Sequence, residues 1–377
     1  MKQYNTARWI GHNNMDNALL YAIWLSQIKN IGARTYKNLV DVLGSAQNVY
    51  TASQESLCTA VRPYQAKIVL ENKDLSTAQA ILNTMEEKQM HGVYYRAQVY
   101  PSALYVLPDP PAVLYYVGTL PPLLRCIAIV GTRSASIPGR EHALVLAQEL
   151  AQAGFTIISG MARGIDGAAH WGALRANGHT VAVLGTGADV VYPVDNKALY
   201  AEIAQTGCII SEYPPGMIPH RGNFVRRNRI ISALANGVVM GEGGMQSGAM
   251  ITMEDAQQQR KPMFVLRIPT QPVTKTQRHL QRIGAYAISC AQEVIDVLAG
   301  QPHIQPPDED APIQIDMQML TEHQITIVNL LKTDQYFVDE IASITKIPIT
   351  RVISLLTELE LRGIIKQLPG SLYRLLT

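Results

Sequence analysis

The 377-residue sequence is poor in charge, in cysteine and in long apolar runs. Charged residues make up 16% of it and the net charge is only +2, so any site for a polyanion must be a local patch. No stretch approaches the ~20 consecutive apolar residues of a membrane span, and the polar N-terminus lacks the apolar core of a signal peptide. These absences predict a cytoplasmic protein with no membrane partner.

The four cysteines lie far apart and lack the CxxC spacing of zinc or thioredoxin-like sites. Three of them, Cys126, Cys208 and Cys290, stand in apolar segments, which predicts buried free thiols and a reducing compartment. The fourth is Cys58. Neither a metal nor a cofactor is expected.

Several motifs of common enzyme classes are also missing. No GxGxxG follows the first strand expected in the core, so the dinucleotide-binding fingerprint fails, and no GxxxxGK[ST] marks a P-loop. Neither GxSxG nor HExxH occurs, which removes the signatures of α/β-hydrolases and of zinc metalloproteases. The sequence therefore has to be interpreted from its fold pattern and its own clusters.

The chain is long enough for two or three domains. Residues 1–17 have the composition of a loose polar tail, and a helical pattern covers 18–92. Short strands rich in Tyr, Val and Pro then predict the start of a new domain, 93–300. Residues 301–316, with four prolines and four acids, predict a linker. Three helical patterns and a hairpin over 317–377 predict a winged helix-turn-helix.

In the central domain, six short apolar runs alternate with segments of helical period. They are CIAIV, FTIIS, TVAVLG, CIIS, GVVM and PMFVL. This alternation predicts an α/β fold with a doubly wound, Rossmann-like parallel sheet, in which ligands bind beyond the carboxyl ends of the strands. Four of the five loops after the first five strands carry clustered glycines, and three carry arginine. Glycine brings bare N–H groups close to a phosphate, although such folds also need glycine at these turns for structural reasons.

The segment HRGNFVRRNRIISALAN, residues 220–236, places arginines where a helix dipole disfavours them. With Phe224 as the helix start, Arg227 falls on the stripe of buried isoleucines and is predicted to point over the sheet into the ligand crevice. Arg226 and Arg229 share another face and are predicted to meet a nucleic-acid backbone outside the crevice. A bound phosphate would remove the electrostatic conflict.

Phe224, one of only four phenylalanines, stands beside these arginines. Base stacking together with phosphate neutralisation on single-stranded nucleic acid requires this combination; packing of the helix start is the alternative role. In GIDGAAH, Asp166 is expected to cap a helix that begins at Gly167, with His170 one turn in. Acid–base chemistry by Asp166 and His170 stays open as the second interpretation.

Six segments follow one another in a fixed order through the central domain. They are GTRSASIPGR, SGMARGIDGAAHWGAL, AVLGTGADVVYPVDNKALY, SEYPPG, FVRRNRIISAL and SGAMIT. Over about residues 100–300 the sequence resembles, by these segments, the bacterial DNA-processing proteins of the DprA (Smf) family. The resemblance implies a core that binds single-stranded DNA without sequence preference, usually as a homodimer. It also implies loading of RecA recombinase onto incoming DNA in natural transformation, displacement of single-strand binding protein, and no catalytic step.

The flanking regions agree with the resemblance, since IKNIGARTYKNLVDVLGS is similar to a helix-hairpin-helix and the C-terminal region to a winged helix. At the matching positions, the family implies DNA contacts by the side chains of Arg133, Arg221, Phe224, Arg227, Asn228 and Arg229, and by the backbone at Gly160, Gly164, Ser247 and Gly248. The charge pattern adds Arg163 and Arg226, and Lys197, after the YP turn, is a further candidate. Glu242-Gly243 departs from the family's usual Glu-Ala.

Two other interpretations remain. The segment GEGGMQSGAMITMEDA is also similar to the Gly-rich loop and downstream glutamate of nucleotide phosphoribohydrolases, in which case Glu254 and an arginine would act on a nucleoside monophosphate. The full PGGxGT loop of that group is missing. A sequence-specific regulator is disfavoured because residues 301–377 carry six Lys or Arg against ten Asp or Glu. That balance favours a protein-contact or stabilising role for the winged helix.

Overall fold

The structure, a computed structural model, describes residues 15–269, 271–301, 320–362, 364–368 and 372–375. The chain forms two compact units that divide after residue 304. In the described ranges no helix is long and apolar enough to cross a membrane. Most of the predicted tail and nearly all of the predicted linker lie outside the described residues.

The N-terminal region is helical, as predicted. Its six helices are α1 (Met15–Gln27), α2 (Ala33–Leu43), α3 (Ala46–Thr51), α4 (Gln54–Cys58), α5 (Pro63–Glu71) and α6 (Ser76–Glu87). Short polar residues begin two of them, because the hydroxyls of Ser45 and Ser53 accept hydrogen bonds from backbone N–H groups of the first turns of α3 and α4.

A single sheet follows, with nine strands among the described residues. They are β1 (His91–Tyr94), β2 (Val113–Gly118), β3 (Cys126–Val130), β4 (Thr156–Ser159), β5 (Thr180–Leu184), β6 (Cys208–Ser211), β7 (Gly237–Met240), β8 (Met263–Leu266) and β9 (Tyr286–Ile288). The six predicted strands are confirmed as β3 to β8. Strands β3 to β9 pair in parallel, whereas β2 pairs antiparallel with both β1 and β6.

The helical N-terminal region packs directly on one end of this sheet. Trp24 of α1 and Leu39 of α2 belong to the same buried cluster as Leu114 and Tyr115 of β2. Burial of apolar side chains at this shared boundary stabilises both parts. The first compact unit therefore combines the helical region and the sheet.

Seven helices accompany the parallel strands: α7 (Ile137–Gln152), α8 (Ile165–Arg175), α9 (Lys197–Thr206), α10 (Arg221–Leu234), α11 (Gly248–Gln258), α12 (Lys275–Arg282) and α13 (Ala291–Leu298). Both faces of the sheet are covered, since alternate residues of β3 belong to two different apolar clusters. Ile127 and Ile129 pack with Leu146 of α7, and Ala128 and Val130 pack with Ile230 of α10.

The strand order fixes where a ligand can bind. It is β1-β2-β6-β5-β4-β3-β7-β8-β9, so the chain passes through α10 from β6 to the opposite side of β3. A doubly wound sheet has its crevice at such a reversal, outside the carboxyl ends of the strands. The loops after β3, β4, β5 and β7 therefore meet at the edge where α10 begins.

The second unit is a winged helix. It contains α14 (Glu322–Leu331), β10 (Tyr336–Phe337), α15 (Val338–Thr345), α16 (Ile349–Leu361), β11 (Ile365–Leu368) and β12 (Leu372–Leu375). The three predicted helices and the hairpin are present, and the short β10 adds a third strand in the order β10-β12-β11. Its separate apolar core includes Ile327, Ile341 and Leu355.

All four cysteines are free. Cys126 and Cys208 are buried as predicted, and burial raises the pKa of the Cys126 thiol to about 12. The expectation was wrong for Cys290, which is partly exposed because it lies at the start of α13, at the surface end of that helix. Cys58 is exposed.

Close packing of α7 on α8 depends on Gly172. A Cβ at this position would lie 2.2 Å from the carbonyl oxygen of Leu144, a backbone atom that cannot move aside. We expect Gly172→Ala to lower the free energy of unfolding by about 2 kcal/mol through overpacking. Urea unfolding measures this change, with Gly244→Ala in the loop after β7 as the control, since nothing lies within 4 Å of a Cβ there. Equal midpoints for the two variants would contradict the close approach of the helices.

Candidate functional site

A cavity of about 180 Å³ lies at the sheet edge selected by the strand order. Nine residues line it: Arg133, Ser134, Gly160, Ala162, Arg163, Tyr192, Pro193, Phe224 and Arg227. They come from the loops after β3, β4 and β5 and from α10. Five of them were candidates from the sequence, and Ser134, Ala162, Tyr192 and Pro193 were not. Tyr192 and Pro193 form the YP turn, for which the sequence predicted a contact by the later Lys197 but none by the turn itself.

Helix α10 begins at Arg221, three residues before the predicted start at Phe224. Its first turn contains no acidic residue, and His220, which precedes it, makes no side-chain capping bond. Only Arg221 therefore lies in the first turn, where the helix dipole disfavours a cation; Arg226, Arg227 and Arg229 lie beyond it, where the effect of the dipole has fallen off.

Arg227 lies toward the crevice, as its position on the helix predicted. Only 5% of it is exposed. Its Nη1 donates to the carbonyl oxygen of Gly160 at 2.9 Å and also to that of Val183, at the ends of β4 and β5. A Cβ on Gly160 would lie 2.5 Å from Nη2 of Arg227, so glycine is needed for this contact. The pKa of Arg227 is lowered to about 10, mainly by burial; Asp166 opposes this shift and nearby Arg133 adds to it.

The predicted capping role of Asp166 was wrong. Helix α8 already begins at Ile165, after Gly164, whose φ of +74° favours glycine. From within the first turn, the Asp166 carboxylate accepts hydrogen bonds from the backbone N–H groups of Gly160 at 3.1 Å and Ala162 at 3.3 Å. Burial raises its pKa, against the effects of Arg227 and of these N–H donors. Asp166 therefore shapes the loop that receives Arg227.

An aromatic pair forms the side of the cavity. The ring centroids of Tyr192 and Phe224 are 5.2 Å apart with an interplanar angle of 35°. The guanidinium carbon of Arg133 lies 6.0 Å from the centroid of Phe224. Phe224 is half-buried and packs on Gly185, where a Cβ would lie 2.8 Å from the ring. The ring thus packs the helix start and still presents part of its surface.

The expected outward orientation of Arg229 was wrong. Its side chain is 11% exposed and forms ion pairs with Glu212 at 2.8 Å and Asp109 at 3.2 Å. Burial alone would lower the pKa of Arg229, but the two carboxylates raise it overall. Arg229 lies inward because this face of α10 packs against the segments that carry Asp109 and Glu212, a tertiary contact. Arg226 is 48% exposed and lies 3.6 Å from Asp109.

Asn228 and Ser247 also make internal contacts. The Asn228 amide donates to the carbonyl oxygen of Gly248 at 3.0 Å and joins α10 to the start of α11. The Ser247 hydroxyl accepts from the N–H of Met250 as the cap of α11. Neither residue lines the cavity; Gly248 is exposed, with no atom within 4 Å of a Cβ built on it.

The remaining candidate cations lie at the surface. Arg163 lines the cavity and pairs with Asp195 at 2.7 Å, with both side chains more than half exposed. Such a pair contributes little to stability, so Arg163 can exchange Asp195 for another anion at small cost. Arg221 and Lys197 are exposed first residues of α10 and α9.

Glu242 forms a contact that the sequence did not predict. Its carboxylate accepts hydrogen bonds from the N–H and hydroxyl of Ser136 and from the Gln271 amide, which ties the loop after β7 to the start of α7. A Cβ on the following Gly243 would clash only with Cε of Met240, the end of a flexible side chain that can move aside, so the structure does not require glycine there.

His170 is fully buried in α8, away from the cavity lining. Because the Thr180 hydroxyl donates to the Ile157 carbonyl at 2.9 Å, its oxygen accepts from Nδ1–H of His170 at 2.6 Å. Nε2 then carries no proton, and it has no hydrogen-bond partner within the described part of the chain. Burial, followed by the charge of Arg227, lowers the pKa of His170 to about 3. The structural role, rather than acid–base chemistry, fits this environment.

Comparisons with known proteins add independent information. A family model described as DNA recombination-mediator protein A matches residues 91–299, and a model of the DprA winged helix domain matches 306–371. The sequence is 32% identical to Protein Smf of Synechocystis over 393 aligned residues, covering 94% of this chain and 98% of that protein.

Two solved structures are also similar. DNA processing protein A (DprA) from Streptococcus pneumoniae has a TM-score of 0.64 and 29% identity, covering 76% of this chain and 99% of that one. DNA processing protein A from Helicobacter pylori, in a study of that protein's single-stranded DNA binding mode, has a TM-score of 0.51 and 34% identity. It covers 57% of this chain and 98% of that one.

Buried neutral His170 makes stability depend on pH. Its pKa falls from 6.5 to about 3 on folding, so the unfolded state binds the additional proton between these values. The contribution of neutral His170 to the free energy of unfolding is complete above pH 6.5. It is lost as the pH falls, by up to ~1.4 kcal/mol per pH unit. We expect the free energy of unfolding, measured with urea, to fall less between pH 7 and pH 4 for His170→Gln than for the wild type. Parallel profiles for the two proteins would contradict this prediction.

Proposed function

We propose that this chain, which belongs to the DNA recombination-mediator protein A family, is a DNA-processing protein that binds single-stranded DNA without sequence preference. The observation that carries the proposal is the cavity in which three arginines meet two aromatic rings at the carboxyl edge of a parallel sheet. Aromatic rings stack on any base and arginines neutralise phosphates, so the combination suits a single strand of any sequence.

The exposed cations and the rings are assigned to direct contact. Arg133 and Arg163 lie at the cavity, and the side chains of Arg221 and Lys197 continue the positive surface from the starts of α10 and α9. Arg226 is half-exposed and is assigned to the rim of the same surface. Phe224 and Tyr192 supply the stacking surfaces, in keeping with the partial exposure of both rings.

The buried candidates are assigned to positioning. Arg229 holds α10 to Asp109 and Glu212, and Asn228 holds it to the start of α11. Gly160 and Gly164 shape the loop after β4. Ser247 and Gly248 begin α11, where Gly248 leaves an open backbone that suits an approaching phosphate.

A phosphoribohydrolase activity is less well supported by the geometry. Among the described residues that line the cavity, none is a carboxylate that could serve as general acid or base. Glu254 is exposed on α11, and Glu242 is engaged with Ser136. Binding without a catalytic step is therefore preferred, and release of a free base from a nucleoside monophosphate would overturn that preference.

Family membership supports a wider role. We propose that the chain acts as a homodimer, displaces single-strand binding protein and loads a RecA-type recombinase during natural transformation. The winged helix is assigned to protein contact or stabilisation, because its recognition helix α16 carries Arg351 but also Glu358 and Glu360. Reading of a DNA groove requires a cationic footprint.

The cavity makes a specific prediction for strand binding. Fluorescence anisotropy should show preference for single-stranded over double-stranded oligonucleotides, with affinity that falls steeply as salt rises. Arg133→Ala should weaken binding and reduce the salt slope by about 1. Phe224→Leu and Tyr192→Leu should each remove roughly 1–3 kcal/mol of stacking while leaving the salt slope unchanged.

Arg175→Ala is the matched control, because Arg175 is an exposed arginine in the last turn of α8. Its affinity and salt slope should equal those of the wild type. If Arg133→Ala and Arg175→Ala behave alike, the cavity is not the binding site.

The recombinase role is tested separately. On a strand coated with single-strand binding protein, the wild type should shorten the lag before DNA-dependent ATP hydrolysis by RecA, and Arg133→Ala should not. Light scattering after size exclusion should give twice the mass of the 41.5 kDa chain. An unchanged lag with intact strand binding would reject recombinase loading but leave the DNA-binding proposal in place.

A further inference from the structure

The guanidinium of Arg227 is buried with one nitrogen unused. Nη1 binds the carbonyl oxygens of Gly160 and Val183, and Nε binds the side chain of Asn228. Nη2 has no hydrogen-bond or ion-pair partner among the residues that the structure describes. Nη2 is not among the fully buried unpaired atoms of the described residues, so it faces the cavity, where a ligand can accept a hydrogen bond from it.

Nothing in the described part of the chain neutralises this charge at contact distance. Asp166 influences Arg227 electrostatically but forms no ion pair with it within those residues, since its carboxylate is held by Gly160 and Ala162. The carbonyl partners of Arg227 are neutral. A buried cation without a contacting anion is unfavourable, and an anion entering the cavity would remove that penalty.

The cavity has a buried side and an exposed side. Arg227 and Gly160 are buried at one side, while Arg133, Arg163 and Tyr192 are exposed at the other. Its volume of about 180 Å³ has room for several waters, and so for a phosphate group that replaces them. A phosphodiester must pass through a site at both ends, whereas a phosphate monoester needs only one opening.

We propose that the inner end of this cavity is a phosphate-monoester subsite centred on Arg227, with Phe224 and Tyr192 flanking the attached nucleotide. The monoester dianion carries more charge than a backbone phosphate and offers three terminal oxygens to arginine donors. Arg133 and Arg163 contact the same group from the cavity mouth. The ligand is a terminal phosphate of a nucleic-acid strand or the phosphate of a free nucleoside monophosphate.

This subsite presupposes the strand binding proposed above but adds a preference that general strand binding does not require. A short oligothymidylate is compared in three forms: with a 5′-phosphate, with a 3′-phosphate and with hydroxyls at both ends. One of the phosphorylated forms should bind about tenfold more tightly than the hydroxyl form, the effect of one added charge-assisted contact. Equal affinities for all three, together with no displacement by thymidine monophosphate, would overturn the subsite while leaving single-strand binding intact.

The source of the phosphate is identified by competition. If thymidine monophosphate displaces the labelled hydroxyl oligonucleotide and thymidine does not, the subsite is supported with a free nucleotide as its ligand. If it does not compete but a terminal phosphate strengthens binding, the strand end is the ligand. Failure of the wild type to bind any single strand would instead reject the proposed function.

Arg227→Lys is the informative variant, because lysine keeps the charge but cannot present two parallel donors to one phosphate. It should lose the preference for the phosphorylated oligonucleotide, so that the phosphorylated and hydroxyl forms bind with one common, weaker affinity. Arg175→Lys, at an exposed position of α8 outside the cavity lining, is the control and should keep the preference. If Arg227→Lys fails to fold, the wild-type comparison of phosphate and hydroxyl ends still decides the question.

Discussion

A buried guanidinium at the carboxyl edge of a parallel sheet determines how this site is built. Arg227 reaches the carbonyl oxygens of Gly160, just after β4, and of Val183, near the end of β5, at the edge where a doubly wound sheet binds ligands. Its approach requires a glycine at position 160. The loop after β4 must then turn away at once, and Asp166 holds that turn through the N–H groups of Gly160 and Ala162.

One helix thus carries two buried arginines with opposite electrostatic environments. Arg229 has two carboxylates and a carbonyl oxygen as partners, so its charge is compensated and it works as a structural connection between α10 and two other segments. Among the described residues, the hydrogen-bond acceptors of Arg227 are neutral, and none of them pairs with its Nη2. Burial of a charge is tolerable when it is paired. Arg227 is therefore the arginine of this helix to which we assign the proposed phosphate.

Much of this arrangement could be predicted from the sequence, and the predictions that were wrong have identifiable physical reasons. The six core strands, the glycine-bearing loops and the inward position of Arg227 follow from local periodicity and from the rule that ligands bind at the carboxyl ends. The orientation of Arg229 depends on Asp109, a residue 120 positions earlier, whose proximity no local pattern indicates. The start of α10 was misplaced because it lacks a capping signal.

Long-range contacts of this kind also hold the segments that carry the aromatic pair. Tyr192 and Phe224 lie on different segments, the loop after β5 and the start of α10. The Asp189 carboxylate links the loop after β5 to the segment that leads into α10, because it accepts a hydrogen bond from the N–H of Gly216 at 2.9 Å. It also pairs with Lys88 of the helical region at 2.5 Å. The Lys88 side chain is 46% exposed, so the pair is screened, whereas Asp189 itself is nearly buried.

The hydrogen bond from the Gly216 N–H to Asp189 is therefore stronger than the Asp189–Lys88 ion pair. The ion pair adds a second contact, from the helical region outside the sheet. A stacking surface assembled before the strand arrives loses less conformational freedom on binding than one formed afterwards. Sequence independence is compatible with such rigidity, since ring faces and cations make the same contacts with every nucleotide. Fixed aromatic rings require cationic side chains that can adjust to the positions of the phosphates. Two exposed arginines at the mouth of the cavity meet this need: the weakly paired Arg163 and Arg133.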